Sequence, residues 1–132
     1  MGKYAHLNIL LAEDDSSIRS AIKAMLFDLG IHKITEAADG EAALQNLIRT
    51  PQGYDLIICD WNMPNKNGLE LLKDAKMRAP STPFLMITGR ADEESVMKAL
   101  KSGVSGYLRK PFRMNQLESK IKVIADSWSE MA

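Results

Sequence analysis

Leu56-Ile57-Ile58-Cys59-Asp60-Trp61-Asn62-Met63-Pro64 is the most informative run in the chain. Four apolar residues end abruptly in a carboxylate, and Asn62 and Pro64 follow. A run this short, bounded in this way, reads as a strand buried on both faces rather than as a helix. Asp60 then stands at the carboxyl end of a central strand, where open α/β sheets place their ligands. The plainer alternative is that Asp60 only caps the next segment. What the rest of the chain brings to the same edge decides between the two.

Upstream, Leu7 to Ala12 is a first apolar run, closed by Glu13-Asp14-Asp15. Ser16 or Ser17 is placed to cap a helix whose Ile18, Ala21, Ile22, Met25, Leu26 and Leu29 share one face. Gly30 stops it. Ile31 to Ala37 alternates weakly, as an edge strand does. Asp39 and Gly40 open a second helix carrying Ala43, Leu44, Leu47 and Ile48, and Thr50-Pro51-Gln52-Gly53 ends it. Downstream of Asp60, Pro64 to Gly68 is a loop, and a third helix runs from about Leu69 to Met77 with Leu69, Leu72 and Ala75 inward. Pro80-Ser81-Thr82-Pro83 is another loop. Phe84 to Ile87 is a fourth strand ending in Thr88-Gly89, its start tolerant of Pro83. Asp92 caps a fourth helix with Val96, Ala99 and Leu100 inward and Gly103 as its stop. Gly106 to Leu108 is a fifth strand ending in Arg109-Lys110-Pro111. A last helix carries Leu117, Ile121, Ile124 and Trp128.

Composition sets bounds on this pattern. With 132 residues, 45% hydrophobic and 26% charged, the chain suits one globular domain, read as residues 1–132 with a core of about 7–128. Seventeen basic residues balance seventeen acidic ones, which argues against a general nucleic-acid binder. The one cysteine, Cys59, reads as a buried core thiol. His6 and His32 read as surface residues, Trp61 as packing, and the eight methionines as core filler. No apolar segment suits a membrane span and residues 1–8 lack a signal-peptide core, so the expected location is the cytoplasm, with no membrane partner.

Alternating strands and helices imply parallel strands joined by right-handed crossovers. Parallel strands point their carboxyl ends one way, so Glu13-Asp14, Asp60, Thr88 and Lys110 share one rim. Taken singly, Asp14 is a helix-entry residue, Thr88 a strand terminus and Lys110 a solvated lysine. Together they are a chemical set. Three carboxylates at close quarters call for a divalent cation, and an all-oxygen donor set suits Mg²⁺. Lys110 adds a charge for an anionic ligand and Thr88 a hydroxyl. Such a set suits phosphoryl transfer, with Asp60 as the phosphoryl acceptor.

Asp60-Trp61-Asn62-Met63-Pro64-Asn65 with Gly68-Leu69-Glu70-Leu71-Leu72, and Gly106-Tyr107 with Lys110-Pro111-Phe112, closely resemble the response-regulator receiver family, above all its single-domain chemotaxis members. The resemblance covers nearly the whole chain. It implies a flavodoxin-like doubly wound α/β fold: a five-stranded parallel sheet of order 2-1-3-4-5 with five helices. It implies Asp60 as phosphoacceptor, and Glu13, Asp14, Asp60 and the Asn62 backbone carbonyl as Mg²⁺ ligands. Thr88 and Lys110 then contact the phosphate, Thr88 and Tyr107 form the switch, and a cis bond precedes Pro111. The implied donor is a sensor histidine kinase or a histidine phosphotransfer protein. Two departures bear on the chemotaxis likeness: Arg90 stands where those members carry a glutamate, and Asp92-Glu93-Glu94 where their fourth helix begins lysine-rich. Arg90 and Asn62 are the expected tuning residues.

An aspartate-nucleophile phosphatase would need a second aspartate where Asn62 stands. A flavin module would need a phosphate-cradling first loop, and Glu13-Asp14-Asp15 would repel the phosphate. A receiver cut from a larger regulator stays open as an alternative. Between Lys98 and Lys122, seven basic residues face one acidic residue, Glu118. That stretch reads either as a solvated face or as a docking face on helix 4, strand 5 and helix 5 for an acidic effector segment.

Overall fold

The computed structural model describes residues 4–50, 53–90 and 92–131, with side chains described to residue 126. Five strands alternate with five helices: β1 (Asn8–Ala12), α1 (Ser16–Asp28), β2 (Lys33–Ala37), α2 (Gly40–Arg49), β3 (Leu56–Asp60), α3 (Gly68–Arg78), β4 (Phe84–Thr88), α4 (Glu93–Lys101), β5 (Gly106–Arg109) and α5 (Met114–Met131). The strands are parallel and ordered β2-β1-β3-β4-β5. This is the flavodoxin-like α/β fold.

The strand alternation sorts the core into two layers. Ile9, Leu11, Ile58 and Ile87 pack against Ile22 and Leu26 of α1 and Leu117, Ile121 and Ile124 of α5. Leu10, Ala12, Ile57, Cys59 and Met86 face the other way, against Ala43 of α2, Leu71, Leu72 and Ala75 of α3, and Ala99 of α4. β3 is buried at every position, as its unbroken apolar run requires. β2 pairs only with β1 and lies at an edge, and just one of its five residues, Ala37, is buried. The side chain of Trp128, and Pro51 and Gln52 of the loop after α2, lie outside what the structure describes.

Several local expectations need correction. Neither Ser16 nor Ser17 caps α1. Asp15 does, its Oδ1 accepting from the amides of Ser17 (2.8 Å) and Ile18 (3.0 Å). A carboxylate there also meets the positive end of the helix dipole. Leu100 does not face inward: it is 55% exposed, and Ser95 and Ala99 are the buried residues of α4. The four-residue step from Ser95 to Ala99 defines the stripe that the sheet covers, and Leu100 lies about 100° around the helix from Ala99. The methionines divide. Met63 and Met86 are buried, whereas Met77 is 84% exposed and Met97 44%.

Candidate functional site

Main-chain hydrogen bonds carry the sheet one step beyond its strands and so fix the rim. The Glu13 amide donates to the Ala37 carbonyl (3.0 Å), Trp61 to Ile87 (3.2 Å) and Lys110 to Thr88 (2.9 Å). The side chains of Glu13, Asp60, Thr88 and Lys110 thereby start from a rigid base rather than from loops. The Lys110–Pro111 peptide is cis, as the family resemblance implied.

The acidic side chains converge. Glu13, Asp14 and Asp60 each offer a carboxylate oxygen, and these oxygens lie within 4.8 Å of one another. Glu13 is 1% exposed and Asp60 8%, while Asp14 is open to solvent. Lys110 closes the cluster, its Nζ 2.7 Å from Glu13 Oε1 and 3.3 Å from Asp60 Oδ1. Burial pushes the Glu13 carboxyl above the ordinary glutamate range and the Asp60 charge adds to this, against the lowering effect of the Lys110 hydrogen bond. For Lys110, burial works to lower the ammonium, but the hydrogen bond to Glu13 and the Asp60 charge outweigh it and hold it above its usual value. Cys59, fully buried behind the site, has its thiol pushed far up by burial and is chemically inert there.

The donor set fits Mg²⁺. It is all oxygen, it has few protein ligands, and Asp14 opens to water that can complete an octahedron. The excess negative charge of three neighbouring carboxylates is what such an ion relieves.

On the other side of Asp60, Thr88 is fully buried and its Oγ1 accepts from the Arg90 amide at 3.0 Å. Arg90 reaches back across the mouth of the site. Its Nη2 and Nε donate to Asn62 Oδ1 at 3.0 and 3.3 Å, and its guanidinium lies 4.9 Å from the Trp61 ring centre. The Tyr107 hydroxyl donates to the Arg90 carbonyl at 2.7 Å. Burial, then the Asp92 charge, raises the Tyr107 phenol, so it stays a hydrogen-bond donor. Every residue assigned to the rim from sequence is therefore found there, with Arg90 and Tyr107 joined to it. One contributor was missed. Arg19 of α1 donates to the Glu13 carbonyl (2.8 Å) while its Nε pairs with Glu36 (3.2 Å). No spacing rule points to it, because the contact bridges a helix, a loop and a neighbouring strand.

The family described as response regulator receiver domain matches residues 9–122. The chain is 38% identical over 121 residues to the chemotaxis protein CheY-3 of Vibrio cholerae, covering 90% of this chain and 92% of that one. It is 38% identical over 120 residues to CheY of Pseudomonas aeruginosa, covering 89% and 95%. The solved receiver domain of Francisella response regulator 1452 superposes with a TM-score of 0.84 at 32% identity, over 92% of this chain and 98% of that one.

Proposed function

The chain belongs to the response-regulator receiver family of two-component signalling, and on that footing we propose that it is a switch phosphorylated on Asp60 by a phosphohistidine donor. It is a signalling protein rather than a turnover enzyme, which removes the phosphatase alternative. One observation carries the reading. Three carboxylates meet within 4.8 Å, and the one that ends the central strand is 3.3 Å from a lysine ammonium.

The chemistry follows from those positions. An Asp60 oxygen attacks phosphorus, the phosphorus–nitrogen bond of the donor breaks, and its electron pair leaves with the imidazole. Asp60 is left as an acyl phosphate. Lys110 sits where it neutralises charge on the transferring oxygens, and the Thr88 hydroxyl can donate to one of them. Receiver domains bind Mg²⁺; here Glu13, Asp14, Asp60 and the Asn62 carbonyl are the proposed ligands, and the ion supplies further charge neutralisation when bound. For the donor, a histidine kinase or phosphotransfer protein, an apolar cavity of about 390 Å³ opens beside the site between Ile18 and Met25 of α1 and the Pro111–Phe112 turn.

The proposed output face is α4, β5 and α5. It carries the exposed Met97 and Leu100 beside the basic run, so an acidic, amphipathic effector segment suits it. Among the described residues no helix is long and apolar enough to cross a membrane. The proposed location is the cytoplasm. Incubation with a small acyl-phosphate donor and Mg²⁺ should add one base-labile phosphate, and Asp60→Asn should abolish it. Labelling of that variant at the wild-type rate would overturn the assignment.

A further inference from the structure

The loop between β3 and α3 is clasped from outside the rim. Among the described residues Asn65 is the one non-glycine with a positive φ, 68°. Its side chain commits its amide to another element: Nδ2 donates to Asp39 Oδ2 at 2.7 Å. Asp39 is also the N-cap of α2, its Oδ1 accepting from the Ala42 amide at 2.7 Å. These two bonds, the Ala42 amide first, hold the Asp39 carboxyl below the ordinary aspartate range, so Asp39 is acceptor-only and Asn65 must be the donor. The contact is close along its length. A Cβ on Gly40 would fall onto the Lys66 carbonyl oxygen, so the start of α2 is seated directly on the loop.

The rest of the loop is equally restrained. The Lys66 amide donates to the Pro64 carbonyl, and the Lys66 ammonium pairs with Asp74 of α3, each at 2.7 Å. The Gly68 amide closes back on the Trp61 carbonyl, also at 2.7 Å. Within this clasp lies Asn62, whose side chain Arg90 holds and whose carbonyl is the proposed main-chain metal ligand. A carbonyl ligand cannot adjust by rotating a side chain. Its position is set by the backbone on either side of it.

We propose that Asp39 and Asn65 form a positioning latch that presents the Asn62 carbonyl to the divalent cation and so sets cation affinity from outside the ligand set. The inference rests on the reading of the acidic rim as a Mg²⁺ site. Partners that hold a metal ligand in place without touching the metal influence affinity strongly.

The test is a Mg²⁺ titration by calorimetry, beside a urea-unfolding midpoint for each variant. Asn65→Gly keeps the left-handed backbone at no steric cost and removes only the latch. It should bind Mg²⁺ about 10-fold more weakly while its unfolding midpoint stays near wild type. Asn65→Asp should weaken binding as well, although its added negative charge alone would strengthen it, because the new carboxylate would face that of Asp39. Asp39→Asn keeps a good N-cap. In the double variant the amide introduced at position 39 can donate to the carboxylate introduced at position 65, which restores the latch with donor and acceptor exchanged. The double variant should regain wild-type affinity. Wild-type affinity in Asn65→Gly, or no recovery in the double variant, would overturn the latch. Unchanged affinity in Asp14→Ala would instead overturn the rim reading, and the latch with it.

Discussion

Arg90 shows what a single side chain adds to a rim built by the sheet. Its guanidinium covers the mouth of the site from Asn62 to Trp61, while its main chain meets Thr88 through the amide and Tyr107 through the carbonyl. In the proposed switch, that guanidinium is placed to hinder a water that would hydrolyse an aspartyl-phosphate on Asp60. In the proposed reaction, formation of the phosphate depends instead on Asp60, Lys110 and the cation. Arg90→Ala should therefore raise the dephosphorylation rate several-fold and change the phosphorylation rate less. The measurement is phosphate release after donor removal, set against the rate of labelling. Equal effects on both rates would count against the arrangement. The sequence placed Arg90 two residues past Thr88 and hence at the rim. Its choice of Asn62 and Trp61 was not legible, because spacing limits where a Cα lies and not where a long flexible side chain comes to rest.

At the scale of elements, strands were more legible than helix faces. A strand buried on both sides declares itself by an unbroken apolar run, and β3 and β4 are buried at all five positions. A helix on one face of the sheet declares only a stripe. In α4, nine residues long, Leu100 falls outside that stripe despite its character. Caps are legible where no serine follows the aspartate directly, as at Asp39 and Asp92, and ambiguous where Asp15 competes with two serines. The join between β3 and α3 leaves no spare room. Gly68 opens α3 directly over the strand end: a Cβ there would strike the Asp60 carbonyl oxygen and lie 2.8 Å from the Trp61 Cα. Both obstacles are backbone and cannot rotate away. Helix propensity favours alanine over glycine by about 1 kcal/mol at most, whereas overpacking costs about 1–3 kcal/mol. Gly68→Ala should lose stability on balance, seen as a lower urea midpoint at unchanged slope. It should also slow phosphorylation, since the Asp60 main chain has to shift. A variant as stable as wild type would show that α3 can back away from the strand.

The whole molecule turns a one-dimensional pattern into a site by topology. The order β2-β1-β3-β4-β5 sets β1 and β4 on either side of β3, so Asp60 has the Glu13-Asp14 pair on one side and Thr88 on the other. Parallel strands and right-handed crossovers were enough to anticipate that convergence from sequence. The links between the site and the distant face were not, because they run through main-chain atoms of Arg90 that no side-chain pattern encodes. Those links give the proposed switch a route by which a signal would leave. Phosphate on Asp60 brings acceptor oxygens to the neighbourhood of the Thr88 hydroxyl. The Thr88 hydroxyl accepts from the Arg90 amide and keeps its own proton to donate, so a rotation that aims this proton at the phosphoryl group moves the oxygen to which Arg90 is bonded, and Arg90 also holds Tyr107 by its carbonyl. In the proposed switch, movement at Thr88 is thus delivered through one residue to the aromatic of β5 that packs on the α4 side of the sheet. An effector that binds one Tyr107 position more tightly than the other converts this into a gain in affinity. Thr88→Ala leaves Asp60, Lys110 and the carboxylates in place, so it should still accept phosphate, while most of the phosphorylation-dependent gain in effector affinity is lost. Effector affinity measured with and without phosphodonor, in wild type and in Thr88→Ala, decides the matter. An undiminished gain in the variant would mean that the signal reaches α4, β5 and α5 by a route that bypasses both Thr88 and the Arg90 segment.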